Sequence, residues 1–240
     1  MTKQLQSAII YRGPSLIDGN PIVVIATYTN SNSKTGGMVQ TYILVDGVDL
    51  RHANKSGADY SICGNCPYKG EPNDNPNRAL ASNRKCYVRI DQGPLLVWKS
   101  LQRGVYPFIR GHKAIADLGR GRMVRIGTYG DGAAVPSYIW DSLISEATGH
   151  TAYSHQALMR TANFRPDLYM RSIGSIEEAY EAWANGQRTF RVVKSVDEIV
   201  KGKEILCPAS KEAGRRVQCA DCRLCGGTRV QAKSIAIPAH

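Results

Sequence analysis

Every cysteine in this chain falls into one of two compact groups, and any fold it adopts must accommodate both. The first group is Cys63, Cys66 and Cys86, in the stretches C-G-N-C-P and C-Y-V. The second is Cys207, Cys219, Cys222 and Cys225, in C-P-A-S and C-A-D-C-R-L-C-G-G. The N-terminal MTKQLQSAII lacks a long apolar core followed by a small-residue cleavage site, so it is not read as a signal peptide. A reducing compartment is then the default, and an odd number of thiols there argues against a disulfide set. Simple burial explains a scattered cysteine, but not a C-x2-C-x2-C run beside a second C-x2-C. The spacing therefore predicts metal ligation by all seven.

The two groups differ in completeness. Three thiols at two-residue gaps, with a remote fourth followed by Pro208, match the way ferredoxin-type cysteines wrap a cubane, and Gly226 and Gly227 permit the tight backbone this needs. A [4Fe-4S] cluster is expected there. Zinc, which favours two separated C-x2-C pairs, is the alternative. The first group offers three cysteines and no obvious fourth ligand, with Asp59, His52 and Asp91 as the nearby candidates. The expectation is one or two clusters in total.

Around these loops the pattern alternates between strand and helix. Residues 21–28 (PIVVIATY) and 38–45 (MVQTYILV) read as strands joined by a polar loop, NSNSKTGG. Residues 51–85 show no periodicity, and 86–91 (CYVRID) reads as a short strand. PLLVWKSLQRG reads as a helix opened by proline and closed by glycine; HKAIADLG and SYIWDSLISEA also read as helices, the latter with Ser137 as a plausible cap. RMVRIGTYGD, TAYSHQ, LYMRSI, RTFRVVKS, KEILCPAS and RVQAKSIAIPA carry strand character. SIEEAYEAWANG is a helix bracketed by a Ser175/Glu178 capping box and Gly186, and SVDEIVKG reads as a short helix. Strand–helix units at this spacing predict a parallel α/β sheet. With length spent on cysteine loops at 57–88 and 207–227, the expected architecture is one domain over 1–240, a shortened or partial (β/α) barrel-like sheet with metal-binding loops. An open α/β sheet is the alternative.

Lysine and arginine number 31 against 20 acids, a formal charge of +11. That points to a polyanionic partner, nucleic acid or a nucleotide first, although metal-bound thiolates would offset part of it. Basic residues concentrate at Arg110, His112, Lys113, Arg120, Arg122 and Arg125, and at Lys211, Arg215, Arg216 and Arg223. No run approaches the ~18 apolar residues of a membrane span, so no membrane partner is expected.

The assembled motifs resemble an uncharacterised phage and prophage family, the gene-product-eighty-eight domain proteins. The matching stretches are KTGGMVQTYIL, GADYSICGNCPYKG, CYV, VRIGTYGD, TAYSHQ, RTFRV, CPAS and CADCRLCGG, in order along nearly the whole chain. A distant analogy extends to radical S-adenosylmethionine barrels, whose C-x3-C-x2-C is not found here. The resemblance implies a phage or prophage origin and expression in the cytoplasm of a bacterial cell, with a host protein as a further possible partner.

Polar residues just beyond predicted strand ends, including Ser172, are the natural site candidates. Asp131 and His155 are read as catalytic acid–base candidates, the null being a turn aspartate and a hydrogen-bonded structural histidine. Arg125 and Arg191 are candidates for holding a phosphate or carboxylate. Tyr68, Tyr87, Tyr129 and Tyr153 could line a pocket or stack on bases. The leading functional expectation is an iron–sulfur protein, with an enzymatic role on a nucleotide or nucleic acid left open. The alternatives are a non-enzymatic DNA- or RNA-binding protein with structural clusters and a phage factor that binds a host protein.

Overall fold

A computed structural model describes residues 4–29, 34–156, 158–159, 161–214 and 217–239. Apolar, β-branched sequence forms one nine-stranded sheet. Strands β1 (Ser7–Pro14), β2 (Pro21–Thr29) and β3 (Met38–Val45) form an antiparallel meander. From β3 onward the ladder is parallel, through β4 (Met123–Tyr129), β5 (Gly149–Ser154), β6 (Met170–Ile173) and β7 (Thr189–Val193). It ends with β9 (Ser234–Pro238) beside β7 and the short β8 (Glu204–Leu206) outermost.

The expected barrel is corrected by this topology. Strands β1 and β8 lie at opposite ends of the sheet order and do not pair with each other, so the sheet is open and mixed. The free edge of β1 is covered where Ile9 exchanges hydrogen bonds with Pro107 and Ile109, which removes a template for edge-to-edge pairing. The cysteine loops are not metal-binding loops either, as shown below.

Among the described residues, seven helices accompany the strands. They are α1 (Leu50–Ser56), α2 (Tyr60–Cys63), α3 (Gly93–Gln102), α4 (His112–Gly119), α5 (Ser137–Ile144), α6 (Ile176–Ala184) and α7 (Cys219–Cys222). Helix α6 has the predicted capping box, Ser175 and Glu178 each satisfying the other's backbone. Ser137 is not the cap of α5: that position is Pro136, and the Ser137 hydroxyl donates to the Asn163 carbonyl. Residues 86–91 form no strand; they run as an extended and turned segment. The expected helix at 195–202 is a single 3-10 turn, Val196–Glu198.

In a parallel ladder, register partners point to the same face. One face of the second half carries Arg125, Thr151, Tyr153, Met170, Phe190 and Ile235. The segment after β8 folds back across this face, placing Cys207 and Cys225 in a small core with Met170, Ile235 and Ile237. The opposite face carries Arg171 and Thr189 toward α6, where Arg171 meets Glu181 and the Trp183 indole donates to Thr189. The main core lies between β1–β5 and helices α1 to α5, centred on fully buried residues such as Ile25, Leu118 and Trp140.

Candidate functional site

The cysteines fold together without forming a metal centre. Cys207, Cys219, Cys222 and Cys225 line one recess of about 20 Å³ with Thr151, Tyr153 and Ile235. Cys63, Cys66 and Cys86 influence one another electrostatically beneath the first loop. All seven are free thiols. Among the described residues, no group of three or more histidine, cysteine, aspartate or glutamate side chains is disposed to hold a metal ion. This overturns the expected [4Fe-4S] clusters, the zinc alternative and the iron–sulfur function built on them.

The thiols lie in desolvated surroundings: burial, the largest cause, pushes Cys66 up to about 11 and Cys225 up to about 12. Cys63 is raised well above the ordinary thiol range, again first by burial. The fourth-ligand candidates are engaged or distant. Asp59 accepts from Asn54 at 2.7 Å and lies 3.6 Å from Lys69. His52 is exposed on α1, and Asp91 pairs with Arg89.

The sequence carries a formal excess of +11. The first predicted basic cluster is nevertheless divided. Lys113 and Arg120 pair with Asp117, and Arg120 also with Glu146. Arg122 sits over the Tyr28 ring at 4.2 Å. In the second cluster, Arg215 and Arg216 lie outside the described residues, and Arg223 bonds the Ala220 carbonyl.

Arg125 is buried on β4 and forms no ion pair with a carboxylate among the described residues. Its Nη2 donates to the Tyr87 hydroxyl at 2.8 Å, and its guanidinium lies 5.7 Å from the centre of the Tyr153 ring. Burial opposes its charge, but Tyr87, Tyr153 and Cys219 outweigh that and hold it above the usual arginine range. Tyr87 itself is 75% exposed. It sits between exposed Lys85 and Arg89, with Cys86 and Val88 turned partly inward, so the segment 85–89 presents a cation, an aromatic ring and a cation outward in alternation. The ring is anchored from below through its hydroxyl and open from above.

The segment connects to a second feature. Both Lys85 and Cys86 donate backbone hydrogen bonds to the Tyr68 carbonyl. The Tyr68 ring meets the His155 ring edge-on at 5.5 Å, and Gly174 is tight against the Tyr68 hydroxyl, where a Cβ would lie 2.8 Å away. His155 and Ser172 belong to a cleft of about 280 Å³ at the C-terminal ends of β5 and β6. Pro67, Leu158, Met159 and Ile173 supply its apolar walls.

The predicted acid and base are placed together, but through the backbone. Asp131 is buried and accepts from the Ala133 amide at 3.0 Å and from the His155 amide at 2.9 Å. Burial raises its carboxyl to about 6. It therefore fixes the turn that follows β4 and the chain path after β5. The His155 ring bonds the Ser172 main chain, and burial pushes the imidazole down to about 4. Tyr129 is buried, its phenol raised well above its ordinary value by burial first and then by Cys63. Arg191 lies on the far half of the sheet in a bidentate pair with Glu204, at 2.9 and 2.6 Å, and also bonds the Glu198 carbonyl. Of the other residues that line the cleft, Glu178 was legible only as half of a capping box and Asn65 only as a spacer between Cys63 and Cys66, and Met159 carries no motif; they meet at the end of β6.

Among the described residues, no helix is long and apolar enough to cross a membrane. No family model, curated protein or solved structure matches the chain.

Proposed function

We propose that this protein binds single-stranded nucleic acid without transforming it, using Tyr87 as a stacking platform between Lys85 and Arg89. The observation that carries this reading is the exposure of an aromatic ring whose hydroxyl is held by a buried arginine. A 75% exposed tyrosine gives up apolar burial, and its anchoring to Arg125 keeps the ring in one orientation while both flanking cations face solvent. Sequence-tolerant binding of single strands combines these elements: aromatic faces for bases and cations along the backbone. A duplex keeps its bases stacked inside and has none to offer the ring.

The whole-chain charge supports the same partner. Lys85, Lys99, Lys201, Lys203 and Lys233 are exposed and form no ion pair with a carboxylate among the described residues. Lys203 and Lys233 are adjacent, since the Ser234 amide donates to the Lys203 carbonyl. The proposal carries with it the phage or prophage origin that the sequence resemblance implies, with the activity in a bacterial cytoplasm.

The test is fluorescence anisotropy with a labelled mixed-sequence single strand and its duplex at several salt concentrations. The strand should bind more tightly than the duplex, with affinity falling as salt rises. Tyr87→Ala should weaken strand binding about tenfold, within the ~1–3 kcal/mol attributed to a stacked base, while Tyr87→Phe retains most of it. Absence of binding at low salt, or an unchanged affinity for Tyr87→Ala, would overturn the proposal.

A further inference from the structure

The cleft at the ends of β5 and β6 has a composition that selects its ligand. Two opposite charges line it, Arg171 from β6 and Glu178 from the first turn of α6. The Arg171 guanidinium is 3.4 Å from Glu181, and its Nη1 makes no hydrogen bond. Glu178 accepts from the Gly174 and Ser175 amides at 3.3 Å each. Arg171 is compensated by Glu181, so Glu178 is the charge left facing a ligand: it repels an anion and favours a ligand that donates hydrogen bonds.

The remaining groups narrow the class. One nitrogen of His155 is committed to the Ser172 main chain, and the neutral ring leaves its other nitrogen as an acceptor. Ser172 and Asn65 offer groups that both donate and accept, while the Gln156 amide is occupied by the Cys63 carbonyl at 3.3 Å. Pro67, Leu158, Met159 and Ile173 form apolar walls suited to the faces of a flat ring. At about 280 Å³ the space is close to the lower bound of ~300 Å³ for small-ligand pockets. This end of a parallel sheet is also where α/β folds bind ligands.

We infer that this cleft holds a neutral nucleobase bearing an exocyclic amino group, which donates to Glu178 or His155. Cytosine and adenine have such a donor; uracil and thymine present carbonyl oxygens there instead. The inference rests on the single-strand reading for the origin of the base. The platform and the cleft are joined through Tyr68, which accepts the Cys86 amide on one side and contacts His155 on the other.

The experiment titrates the intact protein with cytidine, adenosine, uridine and thymidine, following binding by NMR line broadening of the nucleosides. In parallel it measures labelled oligocytidylate and oligouridylate strands by anisotropy. The amino-bearing nucleosides should bind at least about fivefold better than the others. Glu178→Gln keeps a capping-box side chain but adds a donor, so it should narrow or reverse that preference with the fold intact. Leu158→Trp, at an exposed position on the rim, should abolish nucleoside binding and leave Tyr87-dependent strand binding in place. Equal binding of all four nucleosides, or a preference unmoved by Glu178→Gln, would overturn the inference. So would strand binding that depends on Tyr87 with no nucleoside binding at all, which leaves the platform standing. Nucleoside binding with the expected preference but no strand binding would support the cleft and overturn the platform.

Discussion

At the scale of single residues, the fold commits its charged groups to specific partners, and their removal has calculable signs. Arg191 and Glu204 are 3% exposed each and form a bidentate pair. Glu204→Ala leaves a buried guanidinium uncompensated and should lower the unfolding free energy by about 3–5 kcal/mol, measured by urea denaturation. The double change Arg191→Met with Glu204→Leu should cost much less than that single substitution. Asp131 and His155 make stability pH-dependent in opposite directions. The Asp131 carboxyl is raised by burial from 3.8 to about 6, so its contribution favours the protonated fold and is lost as pH rises from 4 through 6. The His155 imidazole is lowered by burial from 6.5 to about 4, so stability is lost as pH falls from 6.5 through 4. Asp131→Asn should therefore expose the acid-side loss due to His155, and His155→Asn should remove it, both visible as midpoint shifts in denaturation between pH 4 and 6.5.

At the scale of elements, caps and close approaches set the order of the second half. The box on α6 was legible because Ser175 and Glu178 have the spacing that reciprocal capping needs, and Ser175→Ala should cost about 1 kcal/mol. Helix α1 was not legible. Its seven residues sit in a polar stretch, and its start is set by the Asp49 side chain accepting from Arg51 and His52 rather than by apolar periodicity. The predicted strand at 86–91 failed for a related reason. Its alternation is real, with Lys85, Tyr87 and Arg89 outward, but no neighbouring strand is in reach, so the alternation serves a surface rather than a ladder. Gly227 has φ of 77°, and a Cβ there would lie 2.3 Å from the Asp167 carbonyl. Gly227→Ala should destabilise by more than about 1 kcal/mol, measured as a lowered thermal midpoint, because the second cysteine segment cannot then seat against β6.

At the scale of the whole molecule, the second cysteine segment ties distant parts of the chain together. The Cys219 and Ala220 amides donate to the carbonyls of Lys34 and Thr35, and the Ala152 amide donates to the Cys225 carbonyl. These contacts bind the meander, the middle strand and the C-terminal segment into one unit. Fluorescence from the three tryptophans and far-ultraviolet circular dichroism should therefore report one coincident unfolding transition. The same scale governs partner binding. The formal excess is +11, and replacing Lys85 with glutamine should reduce the slope of log affinity against log salt by about one if it contacts a phosphate.

Local chemistry alone determined most of the elements: the apolar runs of β2 and β3, the proline and glycine bounds of α3, and the cap of α6 all act within a few residues. It also marked His155 and Tyr87 as chemically useful. What only tertiary structure decided is the environment of each marked residue. Spacing placed seven cysteines within reach of one another, but ligation depends on ionisation and on convergent geometry. No metal-holding group forms among the described residues. Arg125 and Arg191 read alike along their strands, yet one supports an exposed ring and the other is closed off by Glu204. The sheet stays open because β8 has one neighbour and β1 is covered by residues 107–109, and a strand's own residues carry no information about which edge will be left unpaired.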